Sequence, residues 1–452
     1  MMEIRGDIEI AKGNQQALSN QYQESKMLAK RLEWFQDLKL GVIMHWGLYA
    51  EAGIVESWQL SEKDEWAREP VAFREDIKVL QRDYWELITE FNPTQFNPEQ
   101  WAKDCREAGF KYLILTTKHH DGFNLFDTQF SDYKITSPRS PFSTHPKRNL
   151  VKEVFDAFRQ EGLAVGVYYS KADWHHPCYW LPDETKKGRH ASYDTQANPE
   201  IWLEYVNFVH NQLEELMTDY GKIDLLWLDA GWCGQGQEDL QMDVLIEKLR
   251  EKQPELIVVD RMMGGRHENY VTPERKIPTK DQLPSKAWES NIPLGNDWGY
   301  VPTDTFKQPK EVLETVIDVV SKGGNLILGV GPKPDGTLTK EEKEIMRYLG
   351  QWLLINQEAI YKTRPVFPIQ EKIDWKLTQN DSFIYLIYTG EPKNYSEVLD
   401  LKDLAVTQSI SKVYTLSETK LLSEELDQSS KAISIPKEFF QDVYPVLVLE
   451  KA

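Results

Sequence analysis

A (β/α)8 TIM-like barrel of the α/β class, followed by a C-terminal antiparallel β-sandwich, is the fold the sequence predicts. Three observations predict it. Up to about residue 360, short apolar runs of strand length alternate with longer amphipathic stretches, the pattern of parallel strands joined by helical crossovers. Several of these runs end in ionisable side chains, as happens when strand ends ring one site. From about residue 365 the pattern changes to short alternating strands separated by polar turns.

In chain order, the barrel strands are read from residues 40–47, 111–120, 163–170, 223–231, 255–261 and 325–331. Each is rich in β-branched or aromatic residues. Two more strands must lie in less patterned sequence, and residues 286–291 are one candidate. Residues 149–162 read as a crossover helix, with Leu150, Val151, Val154, Phe155 and Phe158 at helical spacing and Gly162 as its stop. Residues 201–221 read the same way. An open doubly wound sheet is the competing architecture, but it normally carries a Gly-rich phosphate loop, and no GxGxxG or GxxxxGK occurs. The sandwich strands are expected at residues 382–390, 398–401, 411–417, 432–436 and 444–450. The expected division is an N-terminal extension over 1–30, the catalytic barrel over 31–363 and the sandwich over 364–452.

With 40% hydrophobic residues, the chain can bury a substantial core, so global disorder is excluded. Its net charge of −19 opposes phosphate binding, so nucleic acid is not an expected partner. Cys105, Cys178 and Cys233 are odd in number and far apart, which argues against a disulfide framework. The N-terminus has no basic region followed by an apolar one, so a cytoplasmic location is expected, or a secreted or periplasmic one if a leader has been removed. No run of 18 apolar residues exists, so no membrane span is expected. A homo-oligomer is compatible with the sequence.

The runs end at His45, at His119 and His120, at Tyr168 to Ser170, at Asp229, and at Asp260 and Arg261. Strand alternation puts Leu225, Trp227 and Asp229 on one face, so an inward Trp227 brings Asp229 inward, nearer the mouth. An Asp ending a strand also serves as a helix N-cap, and spacing alone weighs the two equally. The flanking Trp227 and Trp232 favour a sugar pocket. A glycosidase needs a second carboxyl, and Glu274 and Glu289 are the candidates. Either can instead be structural, Glu274 as a surface or capping glutamate and Glu289 as an arginine's partner. Adjacent histidines on a strand point to opposite faces, so the pairs His119–His120 and His175–His176 argue little for a metal. No HxH or HExxH occurs, and no metal is expected.

The segments at 44–49 (MHWGLY), 116–123 (TTKHHDGF), 167–177, 225–232 (LLWLDAGW), 259–261, 288–300 and 321–336 together resemble, in order, the signatures of glycoside hydrolase family 29, the α-L-fucosidases. The resemblance covers roughly residues 33 to 363. It implies a barrel followed by a β-sandwich, a retaining exo-hydrolase of α-L-fucosyl linkages on fucosylated glycans, and no cofactor. It implies that Asp229 is the nucleophile and that His45, His119, His120, Tyr169, Trp227, Arg261 and Trp298 line the fucose subsite. For the acid/base it points to Glu274, on the loop after the strand ending in Asp-Arg, or to Glu289 of the Trp-Glu motif. The family's Glu-Trp pair after the first strand has two counterparts, at 56–58 and 65–66, and Trp58 is taken as the subsite residue. Glu274 is preferred as the acid because a loop residue can close over the leaving group. The alternatives are an exo-glycosidase for another L-sugar such as α-L-galactose, a metal-dependent barrel hydrolase, and a non-catalytic glycan-binding protein.

Overall fold

The computed structural model describes residues 25–261, 267–371, 373–391, 395–426 and 432–452. Most of the expected N-terminal extension, residues 1–24, and the side chain of Asp260 lie outside the described set. The elements run α1 (Lys26–Leu38), β1 (Leu40–Met44), α2 (Leu48–Ala52), α3 (Ile77–Glu86), α4 (Pro98–Glu107), β2 (Tyr112–Lys118), α5 (Leu150–Gln160), β3 (Ala164–Ser170), α6 (Pro199–Asp219) and β4 (Leu225–Asp229). They continue with α7 (Met242–Lys252), β5 (Ile257–Asp260), β6 (Glu289–Pro293), α8 (Pro309–Ser321), β7 (Asn325–Val330) and α9 (Lys340–Asn356).

The seven strands form one parallel sheet in the order β5-β4-β3-β2-β1-β7-β6. Among the described residues, the expected eighth strand is not a regular one. Residues 270–274 stand between the two edges instead, with bridges Val259–Tyr270 on the β5 side and Val271–Trp288 and Glu274–Asn291 on the β6 side. The amides of Asn269, Val271, Glu289 and Arg275 donate to the carbonyls of Val258, Ala287, Val271 and Asn291 at 2.9–3.0 Å. Pro273 has no N–H to give a ladder, which accounts for the irregularity. Glu274, expected on a loop, is therefore tied into the barrel wall.

Period-two alternation sorts the strand residues into two cores. Ile43, Ile114, Tyr168, Leu225, Trp227, Val259 and Ile327 fill the interior. Their neighbours, such as Val42, Leu113, Tyr169, Leu226, Val258 and Leu328, pack outward against the helices. The helix α1 straddles the expected boundary at residue 30 and closes the bottom of the barrel. Its Phe35 packs on Tyr112 and Tyr270, with ring centroids 5.6 and 4.4 Å away.

The C-terminal strands are β8 (Arg364–Pro365), β9 (Trp375–Gln379), β10 (Phe383–Tyr388), β11 (Val398–Asp400), β12 (Ile410–Thr415), β13 (Leu421–Leu426), β14 (Ala432–Ser434) and β15 (Val446–Lys451). Six form an antiparallel sheet in the order β13-β12-β15-β10-β9-β8, and β11 pairs with β14. The strands β8, β9 and β13 are additional to those expected from sequence. Ile384, Leu386, Leu447 and Leu449 face the domain's own core. The intervening Tyr385, Ile387, Val446 and Val448 join the barrel's outer core. Among the described residues, no helix is long and apolar enough to cross a membrane.

Candidate active site

A cavity of about 870 Å³ opens at the C-terminal ends of the barrel strands. His45, Trp58, His119, His120, Trp227, Asp229, Arg261, Glu274 and Trp298 all line it. Chain turns immediately follow both carboxylates: Ala230 and Arg275 have φ of 65° and 51°. Such left-handed non-glycine residues are costly and cluster at functional sites.

Arg261 joins the two acids. Its Nη1 lies 2.9 Å from Asp229 Oδ1 and its Nη2 lies 2.7 Å from Glu274 Oε2. The Asn291 amide, oriented with its oxygen towards Arg261 Nη2 (3.1 Å), donates to the Pro273 carbonyl (3.1 Å) and so fixes the Glu274 segment. Lys171 Nζ donates to the Arg261 carbonyl at 2.8 Å. Tyr168 donates its hydroxyl to Asp229 Oδ2, and His120 Nε2 lies 3.8 Å from the same oxygen. Burial pushes the Asp229 carboxyl up, but the Arg261 guanidinium, with the hydrogen bond from Tyr168, outweighs it and holds the group below the usual carboxylate range.

The histidines are held neutral. Burial, with the neighbouring His119, puts His45 and His120 well below the usual imidazole range, and burial lowers His119 to about 4. His120 Nδ1 lies 2.6 Å from Ser170 Oγ, whose own hydrogen goes to the Ala172 carbonyl at 2.6 Å. The Nδ1 must therefore be the donor, which leaves Nε2 as an acceptor for a ligand hydroxyl. His119 Nδ1 is bonded to Ser57 Oγ. Among the described residues, no side chain or backbone group pairs with the buried His45 Nδ1, so it is available to a hydroxyl in the cavity. Trp298 stacks on His45 with centroids 5.2 Å apart. Gly329 makes that possible, because a Cβ there would come within 2.6 Å of the Trp298 ring.

Three expectations change here. Tyr169 faces the helices, where its hydroxyl donates to Gln212 Oε1 at 2.8 Å, and Tyr168 reaches the cavity in its place. The signal for Tyr168 was the alternation that places Asp229: in the ladder, Tyr168 pairs with Trp227 and Ser170 with Asp229. Glu289 does not line the cavity. It lies beneath, accepting from Tyr112 OH at 2.5 Å and from Trp227 Nε1 at 3.3 Å, and Arg261 pairs with Glu274 rather than with it. His119 and His120 do not diverge, because β2 ends at Lys118 and both belong to the turn beyond it. Their rings are 4.2 Å apart.

That convergence places His119, His120 and Asp229 within 4.8 Å of one another, a grouping able to hold a metal ion. The charge already present opposes it. Arg261 and Tyr168 occupy the two oxygens of Asp229, so a divalent cation would have to displace a guanidinium. Glu56 was not anticipated as a site residue. Its Oε1 accepts from the amides of Trp298 (2.7 Å) and Gly299 (2.9 Å), and burial together with Asp297 raises its carboxyl. It lies in the loop after α2, where periodicity does not reach, and it is the glutamate of the 56–58 segment, of which Trp58 alone was expected in the site.

A family model described as alpha-L-fucosidase matches residues 8–358. The tissue alpha-L-fucosidase of Macaca fascicularis is 30% identical over 403 residues, covering 85% of this chain and 80% of that protein. The plasma alpha-L-fucosidase of Homo sapiens is 29% identical over 376 residues, covering 80% and 73%. Among solved structures, alpha-L-fucosidase isoenzyme 1 from Paenibacillus thiaminolyticus superposes with a TM-score of 0.75 at 29% identity, covering 94% of this chain and 99% of that one. Thermotoga maritima alpha-fucosidase in complex with fucose gives 0.74 at 28% identity, covering 95% and 100%. The matched model spans most of the barrel and both carboxylates joined by Arg261, and the chain belongs to the alpha-L-fucosidase family of glycoside hydrolases.

Proposed function

We propose that the chain hydrolyses terminal α-L-fucosyl linkages of glycans with retention, Asp229 serving as nucleophile and Glu274 as acid/base. The observation that carries this reading is the single guanidinium of Arg261 held between the two carboxylates, both of which line the cavity. One guanidinium spanning both brings them to the same part of the pocket, as the separation of about 5–5.5 Å in retaining enzymes requires.

Asp229 is ionised and aimed, as a nucleophile must be. One of its oxygens attacks the anomeric carbon, and the glycosidic oxygen leaves with the proton of Glu274. The product is a glycosyl ester of Asp229. Esterification removes the charge of Asp229, so the Arg261 guanidinium then faces Glu274 alone. Glu274 next takes a proton from water, the water oxygen attacks the same carbon, and Asp229 is released. Two inversions give net retention. Neutral His45, His119 and His120 supply acceptors and donors for the ring hydroxyls, while Trp58, Trp227 and Trp298 supply the apolar surface that a deoxy sugar's methyl requires.

The test is the anomeric configuration of the sugar first released from an aryl α-L-fucoside, followed by NMR. The α-anomer is expected, and the β-anomer appearing first would overturn retention. Asp229→Ala should lose several orders of magnitude in turnover while staying folded, and azide should recover part of the loss. A near-normal rate in that variant would remove Asp229 from the role. Faster cleavage of an α-L-galactoside than of the fucoside would favour the alternative sugar.

A further inference from the structure

The residues around Asp229 line only the inner end of the cavity. Outside them the wall passes to residues 61–73, where Trp66, Pro70, Val71 and Phe73 face the same space. The aromatic rings mark a path outward from the nucleophile. His120 lies 5.1 Å from Trp58, and Trp58 lies 5.7 Å from Trp66. Trp66 is half-buried and Val71 is 74% exposed, so apolar surface is presented to solvent beside the site. Apolar side chains lining the mouth of a ligand cavity are available to a bound group.

This segment is fastened rather than free to swing. The Gln59 side chain brackets its far end, donating to the Val71 carbonyl at 3.0 Å and accepting from the Phe73 amide at 2.8 Å. Arg68 stitches its near end, donating to the carbonyls of Gln59 (3.2 Å), Ser61 (2.6 Å) and Glu62 (3.3 Å). Asp64 accepts from Ser61 Oγ at 2.6 Å and from Arg189 at 2.5 Å. The indole N–H of Trp66 points to Asp64 at 3.4 Å, so its donor is engaged within the loop and the apolar part of the ring remains for the cavity. Polar groups stand at the rim, where Glu69 and Thr303 are exposed. A flat apolar face with hydrogen-bonding groups only at its edge suits a pyranose ring, whose C–H faces are apolar and whose hydroxyls project from the perimeter.

We propose that residues 61–73 form a preformed leaving-group subsite, in which the sugar next to the scissile bond lays its C–H face on Trp66. The inference rests on the fucoside-hydrolase reading and adds the place where the leaving sugar is held. Contacts made there act on the first chemical step, because binding energy from a remote part of the substrate helps to orient the reacting bond. They cannot act on a substrate whose leaving group is one atom.

The experiment compares α-L-fucosyl fluoride with fucosyl disaccharides of each linkage, in the wild-type chain, Trp66→Ala and Arg68→Ala. On the disaccharide that the wild type cleaves best, Trp66→Ala should lower kcat/KM by at least about tenfold, while the fluoride value stays within about twofold. Arg68→Ala, acting only through the loop, should give the same split in kcat/KM with a smaller loss. Fluoride turnover reports that each variant is folded. The two substrates falling together, the disaccharide value holding, or a wild type that cleaves the fluoride and no disaccharide would each overturn the subsite. A wild type that cleaves neither would instead sink the fucoside reading, and the subsite with it.

Discussion

The two glutamates that compete for the acid/base role differ in what surrounds them. Glu274 shares Arg261 with the nucleophile inside the cavity. Glu289 holds the Trp227 indole and the Tyr112 hydroxyl under the site, and Trp227 in turn carries Arg261 over its face at 4.3 Å. Removing the acid should cripple a natural fucoside, whose leaving oxygen needs a proton, and spare the first step on a nitrophenyl fucoside. Glu274→Ala is expected to show that contrast under steady-state and burst kinetics. Glu289→Ala should depress both substrates alike, and the contrast appearing there would exchange the roles. The tyrosines give a second comparison. Tyr168→Phe removes a donor from Asp229 and should cost about a hundredfold in kcat/KM. Tyr169→Phe leaves the buried Gln212 oxygen without its donor, which should cost about 1–3 kcal/mol of stability with little change in kcat. Parallel urea titrations and rate measurements separate the two.

At the scale of elements, the junction of β7 with α9 shows how strand ends are held in place. Thr339 caps α9, its Oγ1 accepting from the Glu342 amide at 3.2 Å while Glu342 Oε2 accepts from the Thr339 amide at 2.9 Å. The other oxygen of Glu342 accepts from the Gly331 amide at 2.7 Å, directly after β7. One buried side chain thus anchors the helix start to the rim of the barrel. Thr339→Ala should cost about 1 kcal/mol, the usual worth of an N-cap. Glu342→Ala should cost more, because it strands the Thr339 and Gly331 amides together. Equilibrium unfolding of the two variants checks the order, and equal losses would mean that the Gly331 bond carries nothing.

For the whole molecule, the barrel interior sets a pH dependence. Burial pushes the Glu289 carboxyl up to about 7 from an unfolded value near 4.5. The fold therefore binds this proton more tightly than the unfolded chain does. Its contribution to stability is complete below about 4.5 and disappears as pH rises through about 7. The loss amounts to about 3 kcal/mol as an order of magnitude. Glu289→Gln cannot ionise, so the stability difference between variant and wild type should move in the variant's favour from pH 4.5 to pH 8. Urea midpoints across that range test it, and a constant difference would mean that Glu289 keeps the same charge throughout. The sandwich domain bears on the barrel more widely. One face of its large sheet, through Tyr385, Ile387, Val446 and Val448, is part of the barrel's outer core, and Trp352 of α9 donates to the Val443 carbonyl at 2.9 Å.

The sequence by itself determined the class of fold, most of the strands and the inward direction of Trp227 and Asp229. Those features follow from the periods of two and 3.6 residues, which any short segment carries within itself. It also carried His45 and Arg261, because each lies just beyond the end of a regular strand. Only the tertiary structure decided what depends on neighbours distant in the chain. Ladder register chose Tyr168 over Tyr169. The end of β2 at Lys118 turned both His119 and His120 into the cavity, where strand alternation would have separated them. The irregular passage from 270 to 274, bridged on both sides, brought Glu274 to Arg261 and left Glu289 beneath the site. Glu56 and residues 61–73 sit in long loops with no period to read. Their positions are set by side chains such as Gln59 and Arg68, which bond to backbone groups that meet only after the chain has folded.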